Sequence, residues 1–238
     1  MKDNSLLQFL EKKRNLSSKK ELNPPKKKIE KKQLLSSQSN KFSKSIPTFL
    51  YSYNTYEGKV RNYNEDKIQI KIDLKIPNKD KNIIWPPIHY FAIFDGHGGN
   101  KCSDFLKENF HKLLIENKNF PRKPIKSLKQ TFVNIEKLFF NKFKPKNLID
   151  NIEYSGSCVI IILIIEYKVY CANLGDSRAL YSQNSSKEIY QINKEHKPNL
   201  KSEKERIYKN GGKIYQNDNF LGLKNIPWRI LPGRLAVY

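Results

Sequence analysis

Apolar positions along this chain take up a regular spacing only from about Tyr51, and two periods then follow one another. In KIQIKIDL, Ile68, Ile70, Ile72 and Leu74 alternate with polar residues, which predicts a strand with one buried face. IHYFAIF at 88–94 predicts a second strand, more fully buried. Past a cluster of glycines the period changes. Cys102, Phe105, Leu106, Phe110, Leu113 and Leu114 recur at three and four residues, which predicts a helix with one apolar face. Leu128, Phe132, Ile135, Leu138 and Phe139 predict a second helix of the same kind. CVIIILII and VYCANL, separated by Glu166-Tyr167-Lys168, predict a hairpin of buried strands, and RALYS at 178–182 a further strand after the turn Gly175-Asp176-Ser177. A third helix is expected from near Ser202, with Glu205 in capping-box register, to Asn210 before Gly211-Gly212. GRLAVY at 233–238 opens what reads as one more strand.

Strands, then two helices, then strands is not the alternation of a parallel doubly wound sheet. The order predicts an α+β fold of antiparallel sheets with helices packed outside. Residues 1–48 mix lysine runs with serines and Pro24-Pro25, a composition that does not offset the entropy lost on ordering, so a disordered arm is expected there. Within it LLQFLEKKRNL has the pattern of a short amphipathic helix, suited to a partner or a membrane surface. One domain is expected over 49–238.

Charge adds less than its size suggests. Of the formal +22, residues 1–45 contribute thirteen Lys/Arg against four Asp/Glu, and the rest is dispersed. No basic helix with base-reading spacing, zinc-ligand spacing or aromatic ribonucleoprotein motif accompanies it, so dedicated nucleic-acid binding is not expected. Cys102, Cys158 and Cys171 are odd in number and sit in apolar patterns, which argues against a disulfide framework and for a reducing compartment, cytoplasmic or nuclear. The longest apolar run, Cys158 to Ile165, is too short to span a bilayer. A monomer without a transmembrane segment is expected.

The chemistry-bearing residues lie at predicted strand ends. Asp95 closes the run FAIF and is followed by Gly96, His97, Gly98 and Gly99. A carboxylate at a rigid sheet rim, beside glycines that admit close backbone approach, suits a hard cation such as Mg²⁺ or Mn²⁺. His97, of ordinary pKa about 6.5, is suited to proton transfer near neutral pH. By itself D-G-H-G-G is equally well a turn aspartate and a solvated loop histidine. Arg61, Glu65 and Asp66 stand immediately before the first strand, and an arginine fork matches two oxygens of a phosphoryl group. Asp176 sits in a tight turn between two strands, where aspartate most often caps the turn.

Taken in order, RNYNED, DGHGG, SGSCV, ANLGDSRA, EHKPNLKSEKERIYKNGGKI and PGRLAV resemble the metal-dependent protein phosphatases of type 2C, over residues 54–238. The resemblance implies a layered α/β/β/α sandwich of two antiparallel sheets with two Mn²⁺ or Mg²⁺ ions in a cleft at the sheet edges. By that likeness Asp95 bridges both ions, Glu65 binds one, and the carbonyl of Gly96 completes a ligand set. Asp66 orients the attacking water, Arg61 holds the substrate phosphate, and His97 protonates the leaving serine or threonine oxygen. Asp176 matches a position that helps hold a weaker third ion in some members. The implied reaction is hydrolysis of phosphoserine or phosphothreonine in phosphorylated protein substrates by a metal-activated water, without a phosphoenzyme. No cysteine lies in a thiolate-activating phosphate loop, in keeping with that.

Family members continue past the block resembling GRLAV and supply two further aspartates to the metals. Tyr238 ends this chain, so the expectation is the N-terminal two-thirds of the domain with a metal site of reduced charge. A competing reading follows, an inactive phosphatase-like module that binds phosphoproteins through Arg61. SGSCV differs from the family's Gly-Ser-Thr-Ala as a packing variation, and the segment from Gly212 to Pro232 has no clear counterpart.

Overall fold

The computed structural model describes residues 50–59, 61–75, 85–145, 153–183, 187–216 and 228–231. These fall within the second of two units of the chain, Lys44–Tyr238. The expected arm, its amphipathic fragment and the strand GRLAVY lie outside the described residues.

Four antiparallel strands form the main sheet in the order β1 (Lys67–Lys71), β2 (Ile88–His97), β3 (Gly156–Ile165) and β4 (Lys168–Leu174). β2 and β3 pair over their full length, from Ile88 opposite Ile165 to His97 opposite Gly156. The expected hairpin closes through a two-residue turn, Glu166-Tyr167, with Glu166 at φ 52°. Two helices, α1 (Lys101–Glu116) and α2 (Pro124–Phe143), connect β2 to β3 and cover one face of the sheet. Beyond it lie two small ribbons, β5 (Leu180–Ser182) with β6 (Ile189–Gln191), and β7 (Lys213–Tyr215) with β8 (Arg229–Leu231). Helix α3 (Lys201–Lys209) precedes β7. The antiparallel sheets with flanking helices are the α+β architecture expected.

The core fills the space between sheet and helices. Tyr90, Phe94, Ile161 and Leu163 from the sheet meet Phe110 and Leu114 from α1, all fully buried. Burial of such a side chain contributes about 1.5–3 kcal/mol. Phe110 stacks edge-on against Phe132 of α2, with ring centroids 5.0 Å apart, and Phe105 packs on Phe139 at 5.5 Å.

Three local expectations are corrected. Ile68 and Ile70 stand in register with Ile93 and Phe91, on the sheet face away from the helices, and remain half-buried while Leu74 alone of that alternating set is buried. Alternation reports a face, not which face the helices cover. Leu138, assigned to the inward side of α2, is 44% exposed, and Thr131 takes a buried place instead. The capping box at α3 does not form: Leu200 is the N-cap, Ser202 lies inside the helix, and its hydroxyl accepts from Lys194 Nζ at 2.5 Å.

Beside the core, His111 packs its ring against Tyr90 at 6.3 Å, and its pKa is lowered to about 4, first by burial and then by the ammonium groups of Lys71 and Lys112. Because the folded-state value lies below the unfolded one, the unfolded chain takes up the proton first. Stability is therefore lost as pH falls from about 6.5 towards 4. We expect His111→Gln to reduce the loss of Tm between pH 7 and pH 5 by about 2–4 °C, corresponding to about 1 kcal/mol after screening. Parallel melting curves of the two proteins check this.

Candidate metal centre

The register of the sheet brings the acidic residues of three segments to one edge. Lys67 lies opposite Phe94, which sets the preceding Asp66 beside Asp95. Asp95 is in turn paired with Cys158, and Val159 with Leu174, so the chain leaving β4 delivers Asp176 to the same edge. Local bonds hold the contributing loops. Asn64 accepts from the Asp66 amide at 2.8 Å and from Lys67 through its carbonyl at 3.2 Å, while its own amide group donates to Thr55 at 2.7 Å. The Asp176 turn is pinned by His196, whose amide donates to the Gly175 carbonyl at 2.9 Å and whose Nδ1 accepts from the Gly175 amide at 3.3 Å. Next to it Glu195 binds Arg178 and Lys197, each at 2.5 Å; hydrogen bonds from those two hold its carboxyl at about 2.

The consequence is electrostatic. Asp95 is raised to about 6, first by loss of solvent around its carboxyl group, then by the charges of Asp66 and Asp176, a hydrogen bond shared with Asp66, and the charge of Glu65. Three other carboxylates thus act on Asp95 at a sheet edge that solvent still reaches. Cys158 joins the cluster as a thiol: its Sγ donates to Asp176 Oδ1 at 3.5 Å, and burial above all pushes its pKa up to about 11. It is no nucleophile near neutral pH.

Glu65 is the least available of the four. It is 7% exposed, one carboxylate oxygen accepts from the Gly99 amide, and the other pairs with Arg61 Nη1 at 3.2 Å. Arg61 keeps 68% of its side chain in solvent at the rim of the cluster. Gly96 is a buried glycine by necessity of packing. A Cβ there would run into the Glu65 carbonyl oxygen and stand 2.7 Å from Ser103 Oγ. His97 follows on the same strand, and its imidazole lies over Gly156, where a Cβ would overlap the ring.

Two serines hold the site's supports together. Ser103 is fully buried and donates to the Glu65 carbonyl at 2.6 Å, tying α1 to the acidic loop. Ser155 accepts from the Cys102 amide at 3.0 Å, serving as the N-terminal cap that Asn100 does not supply. A serine within the apolar stripe of α1 was the legible signal for Ser103. Ser155 opens the block SGSCV, but nothing local pointed to its role as a cap, because the helix it caps lies 53 residues back along the chain.

All-oxygen donors sharing excess negative charge fit a hard divalent cation. Among the described residues, no three His, Cys, Asp or Glu side chains already stand in a ligating arrangement. Asp66, Asp95 and Asp176 are the aspartates whose charges meet at this edge.

Fold and site together define an α+β protein with helices on one side of an antiparallel sheet and an acidic cluster on the sheet's rim. Comparison with known proteins makes this specific. The family model for protein phosphatase 2C matches residues 59–226, and the chain belongs to that family. It is 35% identical over 138 residues to probable protein phosphatase 2C 5 of Paramecium tetraurelia, covering 54% of this chain and 45% of that protein. Against probable protein phosphatase 2C 55 of Oryza sativa subsp. japonica it is 28% identical over 187 residues, covering 79% of this chain and 43% of the relative. The chain therefore spans less than half the length of these curated relatives. Among solved structures, it resembles serine-threonine phosphatase 2C from Toxoplasma gondii with a TM-score of 0.54 at 20% identity, over 67% of this chain and 54% of that one. A C. elegans sex-determining protein gives the same TM-score, 0.54, at 21% identity, over 71% of this chain and 38% of that one. At these identities the likeness is one of fold. No helix among the described residues is long and apolar enough to cross a membrane.

Proposed function

We propose that this chain carries the N-terminal part of a protein serine/threonine phosphatase that hydrolyses phosphoserine and phosphothreonine with Mn²⁺ or Mg²⁺. The observation that supports this reading most directly is the meeting of Glu65, Asp66, Asp95 and Asp176, drawn from three distant segments, at one rim. When bound, the cation supplies Lewis acidity, making water acidic enough to act as a nucleophile near neutral pH.

The remaining steps fall to residues of this chain. Asp95, with Asp176 and the Gly96 carbonyl, is assigned to hold cations, together with Glu65 from the loop it shares with Arg61. Arg61, anchored by one nitrogen to Glu65 and otherwise in solvent, receives the substrate's phosphoryl oxygens. Asp66 accepts a hydrogen bond from the attacking water and orients it. As the water oxygen bonds to phosphorus, the bond to the serine or threonine oxygen breaks, and His97 delivers a proton to that oxygen. Phosphorylated proteins are the substrates. Three free cysteines, Cys158 among them held as a thiol, support a site of action inside the cell.

The test is phosphate release from a phosphothreonine peptide. Turnover is expected with Mn²⁺ or Mg²⁺ present, absent with a chelator, and restored when the metal is returned. Metal-independent turnover, or none under any of these conditions, overturns the proposal.

A further inference from the structure

A second surface lies well away from the acidic rim. Between the first turns of α2 and strand β4 the structure holds an open groove of about 640 Å³. Its apolar part is made by Ile125, 59% exposed, and the ring of Tyr170; its polar part is made by Lys123, Lys126, Lys129 and Gln130. Tyr170 pairs with Leu163 on β3, whereas Asp95 pairs with Cys158. Five residues along that strand place the groove about 17 Å from the acidic cluster.

The polar groups lining this groove are all suited to an anion. None of the three lysines forms an ion pair with a carboxylate among the described residues, and no acidic residue lines the groove. Gln130 is polarised the same way. Its Oε1 accepts from Asn117 Nδ2 at 3.1 Å and from Asn119 Nδ2 at 3.0 Å, so its NH₂ group remains as the donor for a ligand. An apolar floor with cationic walls is matched by neither a simple anion nor a plain hydrophobic peptide.

We propose that this groove docks an acidic segment of another protein, one apolar side chain seated on Ile125 and Tyr170 and flanking carboxylates on Lys123, Lys126 and Lys129. Charge complementarity carries the assignment, and the volume accommodates a leucine-sized side chain with its adjoining backbone. The inference does not depend on the phosphatase reading, because it concerns binding alone.

The experiment is fluorescence anisotropy with a fluorescein-labelled peptide in which one leucine is flanked on both sides by glutamates. Binding is expected to weaken as salt is raised. The triple variant K123E/K126E/K129E should bind at least about tenfold more weakly, and Ile125→Ser several-fold more weakly. Placing acids in the first turns of α2 favours the helix dipole, so the triple variant should stay folded, as circular dichroism would register. Because the whole chain is strongly cationic, a charge-matched control, K187E/K201E/K209E, is required; it should stay within about twofold of wild type. Asp95→Ala should bind as wild type does, which separates the groove from the acidic rim. Equal weakening by both triple variants overturns the proposal, as does unchanged binding by K123E/K126E/K129E. An oligouridylate that binds as tightly as the peptide and is lost in the same groove variant overturns it too, in favour of a nucleic acid.

Discussion

Asp95→Ala is expected to abolish the response to divalent cations while leaving the metal-free protein slightly more stable. The two effects share one cause. Asp95 is raised to about 6 because Asp66, Asp176 and Glu65 crowd a carboxyl group that has lost part of its solvent. For an acid whose folded-state pKa lies above its unfolded value, the associated stability is present at low pH and lost as pH rises through about 4 to 6. At pH 7.5 without metal the charged carboxylate therefore opposes folding, by about 1 kcal/mol once solvent screening is allowed for. Removing it relieves that repulsion, and Tm should rise by about 2–4 °C. A cation reverses the sign, since it needs the same negative charge that strains the apoprotein. In the variant, Mn²⁺ should no longer raise Tm or give heat on titration, and the hydrolysis proposed for this chain should fall at least about a hundredfold. Undiminished Mn²⁺ binding by Asp95→Ala would remove this residue from the ligand set.

The second large effect is steric. Gly96→Ala puts a methyl group against the Glu65 backbone carbonyl, with Ser103 Oγ 2.7 Å away. The carbonyl cannot rotate aside as a flexible side chain would, and it is held in place by the Ser103 hydroxyl at 2.6 Å. Either β2 or the loop carrying Arg61, Glu65 and Asp66 must shift. Overpacking of this kind costs about 3 kcal/mol, which in a domain of this size lowers Tm by about 6–12 °C. Adding Ser103→Ala removes the nearby hydroxyl but leaves the carbonyl, so the double variant should regain less than half of the loss. Recovery to wild-type Tm would place the collision at Ser103 and not at the backbone. Because Glu65 and Asp66 move with the loop, metal affinity should fall in the single variant even at temperatures where it remains folded.

The elements themselves were legible because their causes are local. The three- and four-residue spacing from Cys102 to Leu114 can be satisfied only by a helix, and α1 runs from Lys101 to Glu116. Eight successive apolar residues from Cys158, followed by a two-residue turn, became the hairpin of β3 and β4. Errors arose where a neighbour decided the matter. Leu138 fits the apolar stripe of α2, but whether it is covered depends on what packs there, and it is exposed. Ser202 and Glu205 have capping spacing, but the chain enters α3 at Leu200 and Ser202 is engaged by Lys194. Likewise Ile68 and Ile70 marked one face of β1 correctly without indicating that the helices lie on the other.

What the amino-acid sequence determined by itself was the four strands of the main sheet, β5 and the three helices, the α+β class, and a short roster of acids, one arginine and one histidine at strand ends; the three-residue strands β6, β7 and β8 are too short to carry a period and were not legible. Backbone propensity and side-chain periodicity act over a few residues, and a linear text contains them in full. Only the tertiary structure decided that Asp66, Asp95 and Asp176 face one another, that Glu65 is spent on Arg61 and Gly99, and that Gly96 is required by the close approach of Glu65 and Ser103. Those outcomes follow from strand register, since a slip of one residue between β2 and its neighbours would take Asp95 out of line with Asp66 and Cys158.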